Sequence, residues 1–505
     1  MDWREDDLQE LERRGIAVEE AERQLKLLRK PSNSVNLERP AVAGDGITVI
    51  PESEISGLID EADETAGKGR VQKFVPASGA ATRMFAELMP ALEDGQSLSG
   101  SPERFFQELE NFPFADQLRR LSYEQGVSLG PDMDERETRL ALRLLLTDEG
   151  LGYSDLAKGL IPFHRYPDEV RTAFEEQVRE GILFASDGED ARFHFTVPQS
   201  DLGRFSVEEK RVARAVRDRD GVRCRVVFSV QHPSTDTVAM TSDGEPFRTD
   251  EGDLLLRPGG HGSLLRNLIE LGGDVVFVKN IDNVRPQHVH RDVARWYKVL
   301  IGHLVSLEER VRNALRAMED GDPTAVTRAA AFAEQAFARP FNGDRIGSES
   351  MKRHTIDALR RPIRVCAVVR NEGEPGGAPF WVRETSGRDS LQIVESSQVD
   401  MANPKQKKIF GSSTHFNPVA IACSVRDPAG KPYDLRSFVD PEAAFVAQKT
   451  HQGRELRALE HPGLWNGGMA GWNSVFVEVP AFTFAPVKTV FDLLRDEHRT
   501  DGDGL

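Results

Sequence analysis

Four short stretches combine residue types suited to holding a polyphosphate. The first is Pro76-Ala77-Ser78-Gly79-Ala80-Ala81-Thr82-Arg83, which follows the apolar run Val71–Val75. Small side chains let backbone N–H groups approach a bulky anion, and a helix starting there would add partial positive charge. Thr82 can donate a hydroxyl, and Arg83 offers a planar fork of donors to phosphate oxygens. An ordinary tight strand-to-helix turn would use the same residues. The glycines are too few for GxGxxG, and no G-x-x-x-x-G-K-S/T occurs, which excludes a P-loop enzyme. The second stretch is Lys279-Asn280-Ile281-Asp282-Asn283, just past the run Val275–Val278. A carboxylate at that place suits a hard cation, because Mg²⁺ commonly takes one or two carboxylates plus substrate phosphate oxygens. A turn built by Asx side chains is the plainer use of the same residues.

The third stretch, Arg257-Pro258-Gly259-Gly260-His261-Gly262, sets three glycines around a histidine. Backbone without side chains can lie flat against a nucleobase; a flexible hairpin is the alternative. The fourth, Pro486-Val487-Lys488-Thr489, offers a lysine after a proline-braced strand as a phosphate contact. Other patterns carry no chemistry. His290-Arg291-Asp292 imitates a kinase catalytic loop, but Tyr297 stands where the asparagine is needed and no Asp-Phe-Gly occurs. His288 and His290 have no third metal ligand nearby in sequence, and HExxH, CxxC and GxSxG are absent.

These stretches need elements to hold them. Residues 1–35 place Leu8, Leu11, Ile16, Ala21, Leu25 and Leu28 at helical spacing, which predicts an amphipathic helical appendage stopped at Pro31. Val71–Pro76 reads as the first strand, and Phe85, Leu88, Met89 and Leu92 as the helix after it. Residues 100–185 read as a mostly helical insertion. Strands are expected at Arg192–Val197, Arg223–Val230 and Asp274–Asn283, the last holding a continuous apolar run of the kind buried on both faces. Long helices follow over Arg291–Met318 and Pro323–Phe337, then a strand-rich part from Ile363 to Pro486 and a short helix at Val490–Arg495. The alternation predicts an α/β fold with a mainly parallel, Rossmann-like sheet flanked by helices. Ligands in such sheets bind beyond the carboxyl ends of strands, which selects 76–83 and 280–283. The expected blocks are a helical appendage over 1–40, a nucleotide-binding α/β domain over 41–345, a sugar-binding and C-terminal part over 346–495, and a disordered tail over 496–505.

Composition narrows the partners. Acidic residues outnumber basic ones by 82 to 65, a formal charge of -17, so nucleic acid is not expected as a partner. The three cysteines, Cys224, Cys366 and Cys423, lie far apart, which argues against a disulfide framework or zinc knuckle. No apolar run reaches membrane-spanning length, and the start MDWREDDLQELERR is the opposite of a signal peptide. The expectation is a soluble cytoplasmic protein without a membrane partner.

The four stretches in this order resemble the UDP-sugar pyrophosphorylases, nucleotidyltransferases with a GT-A-like fold; a bacterial branch is expected. Gly79-Ala80-Ala81-Thr82-Arg83-Met84 looks like the family's first turn. Pro258–Gly262 and Asn280–Asn283 resemble its central Pro-Gly-His-Gly and Asn-Ile-Asp-Asn, with one extra glycine. Gln392-Ile393-Val394-Glu395-Ser396-Ser397 is similar to its sugar-binding segment, Phe416-Asn417 to its sugar-contacting asparagine, and Pro486–Leu494 to its PVKT-x-x-DLL. Residues 84–95 depart from the family in holding no lysine, and the first turn has Ala80-Ala81 where the family is more open. The resemblance implies a nucleoside triphosphate, UTP by expectation, and a sugar 1-phosphate as substrates, with pyrophosphate released and Mg²⁺ as cofactor. It implies Arg83 and Lys488 as catalytic residues and Asp282 as metal ligand. Ala77, Ser78, Gly79, Ala80, Thr82, Gly260 and His261 would bind nucleotide, and Glu395 and Asn417 sugar. A glycosyltransferase would use the same sheet, but usually through Asp-x-Asp, which Asp282-Asn283-Val284 does not supply. A non-catalytic sugar-nucleotide sensor is the other alternative.

Overall fold

The computed structural model describes residues 3–500 apart from 31–33, 131, 340–347, 372, 374–375 and 385–386. Pro31 and the last five residues of the expected tail lie outside the described residues. The chain gathers into two compact units, each made of interleaved segments. The fold is α/β, and parallel pairing predominates in the central strands of both units.

One unit is built from residues 66–230, 279–296 and 481–505. Its strands Val71–Pro76, Asp190–Thr196 and Arg223–Ser229 run parallel, with Lys73 opposite Phe193 and Asp190 opposite Arg223. Burial along Val71–Pro76 is nearly continuous, whereas Arg223–Ser229 alternates between exposed and half-buried positions. That is the difference between a strand covered on both faces and one with a face toward water. Helix Ala173–Gly181 is buried along its whole length, although it carries Glu175, Glu176, Gln177, Arg179 and Glu180. The core is aromatic: Phe85, Phe105, Phe112, Phe114, Phe174, Phe195 and Phe205 are fully buried, and Phe105 and Phe112 stack at 4.9 Å. Val487, Val490 and Leu493 from the last segment pack into the same core.

The expected insertion is helical in its first part, with helices Ser101–Gln107, Ala115–Glu124 and Glu135–Leu146, and then forms the antiparallel pair Pro162–Arg165 and Val170–Thr172. Three expectations are corrected. No α-helix follows the first strand; Ala81–Arg83 and Met89–Leu92 are single 3₁₀ turns, so no helix dipole points at the 76–83 turn. Pro90 inside the second turn removes a donor that an α-helix would use. Val490–Leu494 is likewise a 3₁₀ turn rather than a helix. The chain stays ordered past residue 495: Asp496–His498 forms a turn, and buried His498 places Nδ1 2.9 Å from His164 Nε2.

The other unit holds residues 1–65, 231–278 and 297–480. In its main sheet Gly46–Thr48, Asn473–Glu478, Ile363–Arg370, Ala420–Ser424 and Val275–Lys279 lie in that order, and the last strand hands the chain to the first unit at Lys279. Strand Ile363–Arg370 is parallel to Asn473–Glu478 and antiparallel to Ala420–Ser424. Two smaller antiparallel sheets flank it in sequence. One joins Leu37–Pro40, Ala378–Arg383 and Asp389–Val394; the other joins Leu256–Arg257, Thr237–Met240, Arg454–Glu460 and Phe445–His451. The N-terminal segment forms two helices, Glu5–Arg14 and Val18–Arg29, whose Leu11, Leu25 and Leu28 pack with Val238, Met240 and Leu459. Long helices occupy His290–Glu319 and Ala325–Phe337 as the periodicity predicts. No helix among the described residues is long and apolar enough to cross a membrane.

Candidate functional site

In the first unit the strand Val71–Pro76 opens into the 76–83 turn. Buried Ala77 extends the strand ladder by donating its N–H to Thr196 O at 2.8 Å. After it the chain leaves the sheet, and the backbone N–H groups of Ser78, Gly79 and Ala80 make no hydrogen bond among the described residues. A Cβ placed on Gly79 would meet nothing within 4 Å, so the space above the turn is open. Residues 154–158 of the insertion line its other side. Lys158 N donates to Gly79 O at 3.1 Å, Ala81 N to Leu156 O at 2.9 Å, and Thr82 Oγ1 to Ser154 O at 2.8 Å. The Thr82 hydroxyl therefore holds the turn in shape. Arg83 is exposed, and its side chain has no hydrogen bond or ion pair among the described residues.

Asp282 and Lys488 meet beside this turn. Val487 N donates to Asp282 O at 3.0 Å, and Ala485 N to Asn283 Oδ1 at 3.0 Å, so the last segment runs along the 280–283 loop. Asn283 thereby serves as a turn-building side chain. Val490 N donates to Met84 O at 2.8 Å, which ties the same segment to the residue after Arg83. Asp492 Oδ2 accepts from the N–H groups of Lys488 and Thr489 at 2.8 and 2.7 Å, aiming the lysine before the 3₁₀ turn begins.

The carboxylate of Asp282 is asymmetric. Lys488 Nζ lies 2.9 Å from Oδ2, and Lys158 Nζ lies 3.1 Å from the same oxygen while donating to Val487 O at 3.0 Å. Oδ1 is buried with no hydrogen-bond partner among the described residues. Burial raises the Asp282 pKa, but the two ammonium groups outweigh it and hold the carboxyl below its ordinary 3.8. Two cations on one carboxylate leave a net positive charge, which is the sign a polyphosphate requires. Among the described residues no three His, Cys, Asp or Glu gather to hold a metal. A free carboxylate oxygen is a donor of the kind a hard cation takes.

Helix Ala173–Gly181 supports the 280–283 loop from within. Gln177 Nε2 donates to Asn280 O at 2.7 Å and lies 3.3 Å from Asn283 O. Glu180 is fully buried between two lysines, Lys73 Nζ at 2.8 Å and Lys279 Nζ at 2.5 Å. Burial opposes its charge, yet the two ammonium groups hold its pKa down at about 2. Burial lowers Lys73 to about 8, with Glu180 only partly offsetting it.

The remaining expected residues lie in the other unit and form a chain of their own. The His261 ring stacks on Trp465 at 4.2 Å, and Trp465 Nε1 donates to Glu395 Oε1 at 3.4 Å. Leu464 N donates to His261 Nδ1 at 3.1 Å. The glycines around His261 are explained by the neighbouring chain: a Cβ on Gly262 would lie 2.2 Å from Pro462 O, and one on Gly259 2.4 Å from His461. Gly260 has φ +74°, a conformation other residues rarely adopt. Asn417 is buried, donating to Ala367 O at 2.7 Å and accepting from Val419 N at 3.0 Å. Both ends of its amide hold backbone. The structure brings Asp282, Lys488 and the 76–83 turn together. Sequence reasoning misses Lys158, Gln177 and the Lys73–Glu180–Lys279 triad. The one available signal for Lys158 is a lysine standing alone in the apolar stretch Leu156–Phe163.

Comparison with solved structures finds a UDP-N-acetylglucosamine pyrophosphorylase from Trypanosoma brucei bound to an inhibitor. It is 13% identical with a TM-score of 0.49, over 94% of this chain and 74% of that one. A UDP-glucose pyrophosphorylase variant from Leishmania major in complex with UDP-glucose is 14% identical with a TM-score of 0.46, over 98% and 78%. Likeness at this level speaks to neither substrate nor reaction. No curated protein matches the chain by sequence. Residues 4–499 match the family described as Domain of unknown function (DUF4301), and the chain belongs to that family.

Proposed function

We propose that the protein is a nucleotidyltransferase that joins a sugar 1-phosphate to a nucleoside triphosphate, UTP first among candidates, and releases pyrophosphate. The observation that carries this reading is Asp282 with two lysines on one oxygen and none on the other, beside three unengaged backbone N–H groups. The nucleophile is a phosphate oxygen that is already anionic, so the reaction needs no general base. It needs alignment of the attacking oxygen with the α-phosphorus and neutralisation of charge on the leaving diphosphate. Ser78, Gly79 and Ala80 would hold phosphate oxygens through their N–H groups, with Ala77 and Thr82 fixing the turn. Arg83 and Lys488 would take the charge of the transferring and leaving phosphates, joined by Lys158. Asp282 would give its free oxygen to Mg²⁺, which when bound neutralises phosphate charge.

The test is to incubate the protein with UTP, GTP, CTP or ATP, a panel of sugar 1-phosphates and Mg²⁺, and to measure pyrophosphate. Turnover with one pair is expected. Binding without pyrophosphate for any pair would make the protein a sensor, and release of UDP from a nucleotide-sugar would make it a glycosyltransferase.

A further inference from the structure

The first unit holds a cavity that uses neither the 76–83 turn nor Asp282. It encloses about 320 Å³ between the end of helix Ala173–Gly181, the end of helix Leu202–Asp220 and the start of helix His290–Glu319. Its walls carry Arg179, Arg219, Arg291, His288 and His290, with Asp220 as the one acid among the lining residues. Ile182 and Leu183 give it an apolar side.

Arg179 is already paired within the fold, whereas Arg219 and Arg291 are not held by an acid at ion-pair distance among the described residues. Arg179 is only 6% exposed; its Nε is 2.8 Å from Glu175 Oε1, while its nearest further acid is Glu169, 3.8 Å from Nη2. Its Nη atoms make no hydrogen bond among the described residues. Arg219 makes one neutral hydrogen bond, to Gln287 Oε1 at 3.1 Å. The exposed side chains of Arg291 and His288 make no hydrogen bond or ion pair among the described residues. Three guanidinium groups thus line one small space in a chain of net charge -17. Glu175 and Glu169 balance Arg179, which leaves Arg219 and Arg291 against Asp220, and an anion seated on these two guanidinium groups would complete the balance of charge. Planar guanidinium forks suit tetrahedral oxyanions in particular.

We infer that this cavity is a binding site for a small phosphate-bearing molecule, separate from the proposed reacting centre. The arginines would grip the phosphate, and Ile182 and Leu183 would cover a short apolar part. The volume lies at the small end of known ligand sites, which begin at roughly 300 Å³.

Residue-resolved phenylglyoxal labelling with inorganic phosphate as probe, at fixed ionic strength, tests this in the wild-type protein. Phosphate is expected to slow labelling of Arg219 and Arg291 in a saturable manner. Arg136, exposed on another helix, is expected to keep its rate. In Arg219→Ala, half-protection of Arg291 should need about tenfold more phosphate, as loss of one charge-assisted hydrogen bond implies. Arg219 is exposed, so the variant leaves the core intact. Unchanged labelling of Arg219 and Arg291, slowing shared equally by Arg136, or an unchanged half-protecting concentration in the variant would each overturn the inference. Because the readout is local, a missing nucleotidyltransferase activity would leave this result standing, and the reverse also holds.

Discussion

Asp282 has the two lysines on one side and an orphaned oxygen on the other, so its substitutions separate two jobs. Asp282→Asn keeps the shape but leaves Lys158 and Lys488 without their shared counter-charge and removes the anionic ligand proposed for Mg²⁺. Pyrophosphate release is expected to fall about 10²–10³-fold, as does loss of a single donor to developing charge in other enzymes. Lys158→Ala should lose turnover on the same scale, although no motif marks that residue. Wild-type rates in both variants would remove this cluster from the chemistry. Glu180 is the second telling residue. Glu180→Gln removes the carboxylate charge that pairs with the buried ammonium groups of Lys73 and Lys279. Breaking a buried pair costs about 3–5 kcal/mol, which urea denaturation would read directly. A variant within about 1 kcal/mol of wild type, the typical effect of a point substitution, would show that the triad is not strongly coupled.

At the scale of elements, the short turn Val490–Leu494 and the Gly259–Gly262 loop depend on single interactions. Asp492 accepts from the N–H groups of both Lys488 and Thr489. Asp492→Ala should cost about 1–2 kcal/mol, the usual worth of a cap, and should also release Lys488 from its aim. Thermal unfolding gives the first effect, and a turnover loss beyond what lower stability explains gives the second. Gly262→Ala places a methyl 2.2 Å from Pro462 O, in contact with backbone that cannot swing away. Overpacking of this kind costs typically 1–3 kcal/mol, so a lowered midpoint of unfolding is expected; an unchanged midpoint would mean the 461–463 segment yields freely.

For the whole molecule, acid should be the weak side. His164 and His261 are held neutral in the fold, mainly by burial, with pKa values near 3 and 4 against an ordinary 6.5. Between those values the unfolded chain binds protons that the folded one refuses, so stability falls as pH drops below about 6.5. Glu180 adds to this lower down, because its folded pKa of about 2 lies below the ordinary 4.5. Its contribution is complete above about pH 4.5 and is lost as pH falls toward 2. The melting temperature should therefore decline steadily from about pH 6.5 to 5 and more steeply below 4.5. A flat melting temperature between about pH 7 and 5 would contradict the burial of these histidines.

The amino-acid sequence by itself determined the α/β class, the strand Val71–Pro76 and the two long helices. Those readings rest on short-range information: apolar runs, helical spacing, Asx and proline chemistry at turns. It misjudged the segment after the first turn, because apolar spacing in residues 85–92 fits a helix while Pro90 and packing onto the aromatic core enforce 3₁₀ turns. Tertiary structure alone decided that Lys158 reaches Asp282 across 124 residues, that Gln177 props the 280–283 loop, and that Gly262 is small because of Pro462. It alone also decided that three arginines from separate helices share one cavity. Contacts between residues so far apart carry no local pattern, since their partners are chosen by how the core closes and not by the neighbours along the chain.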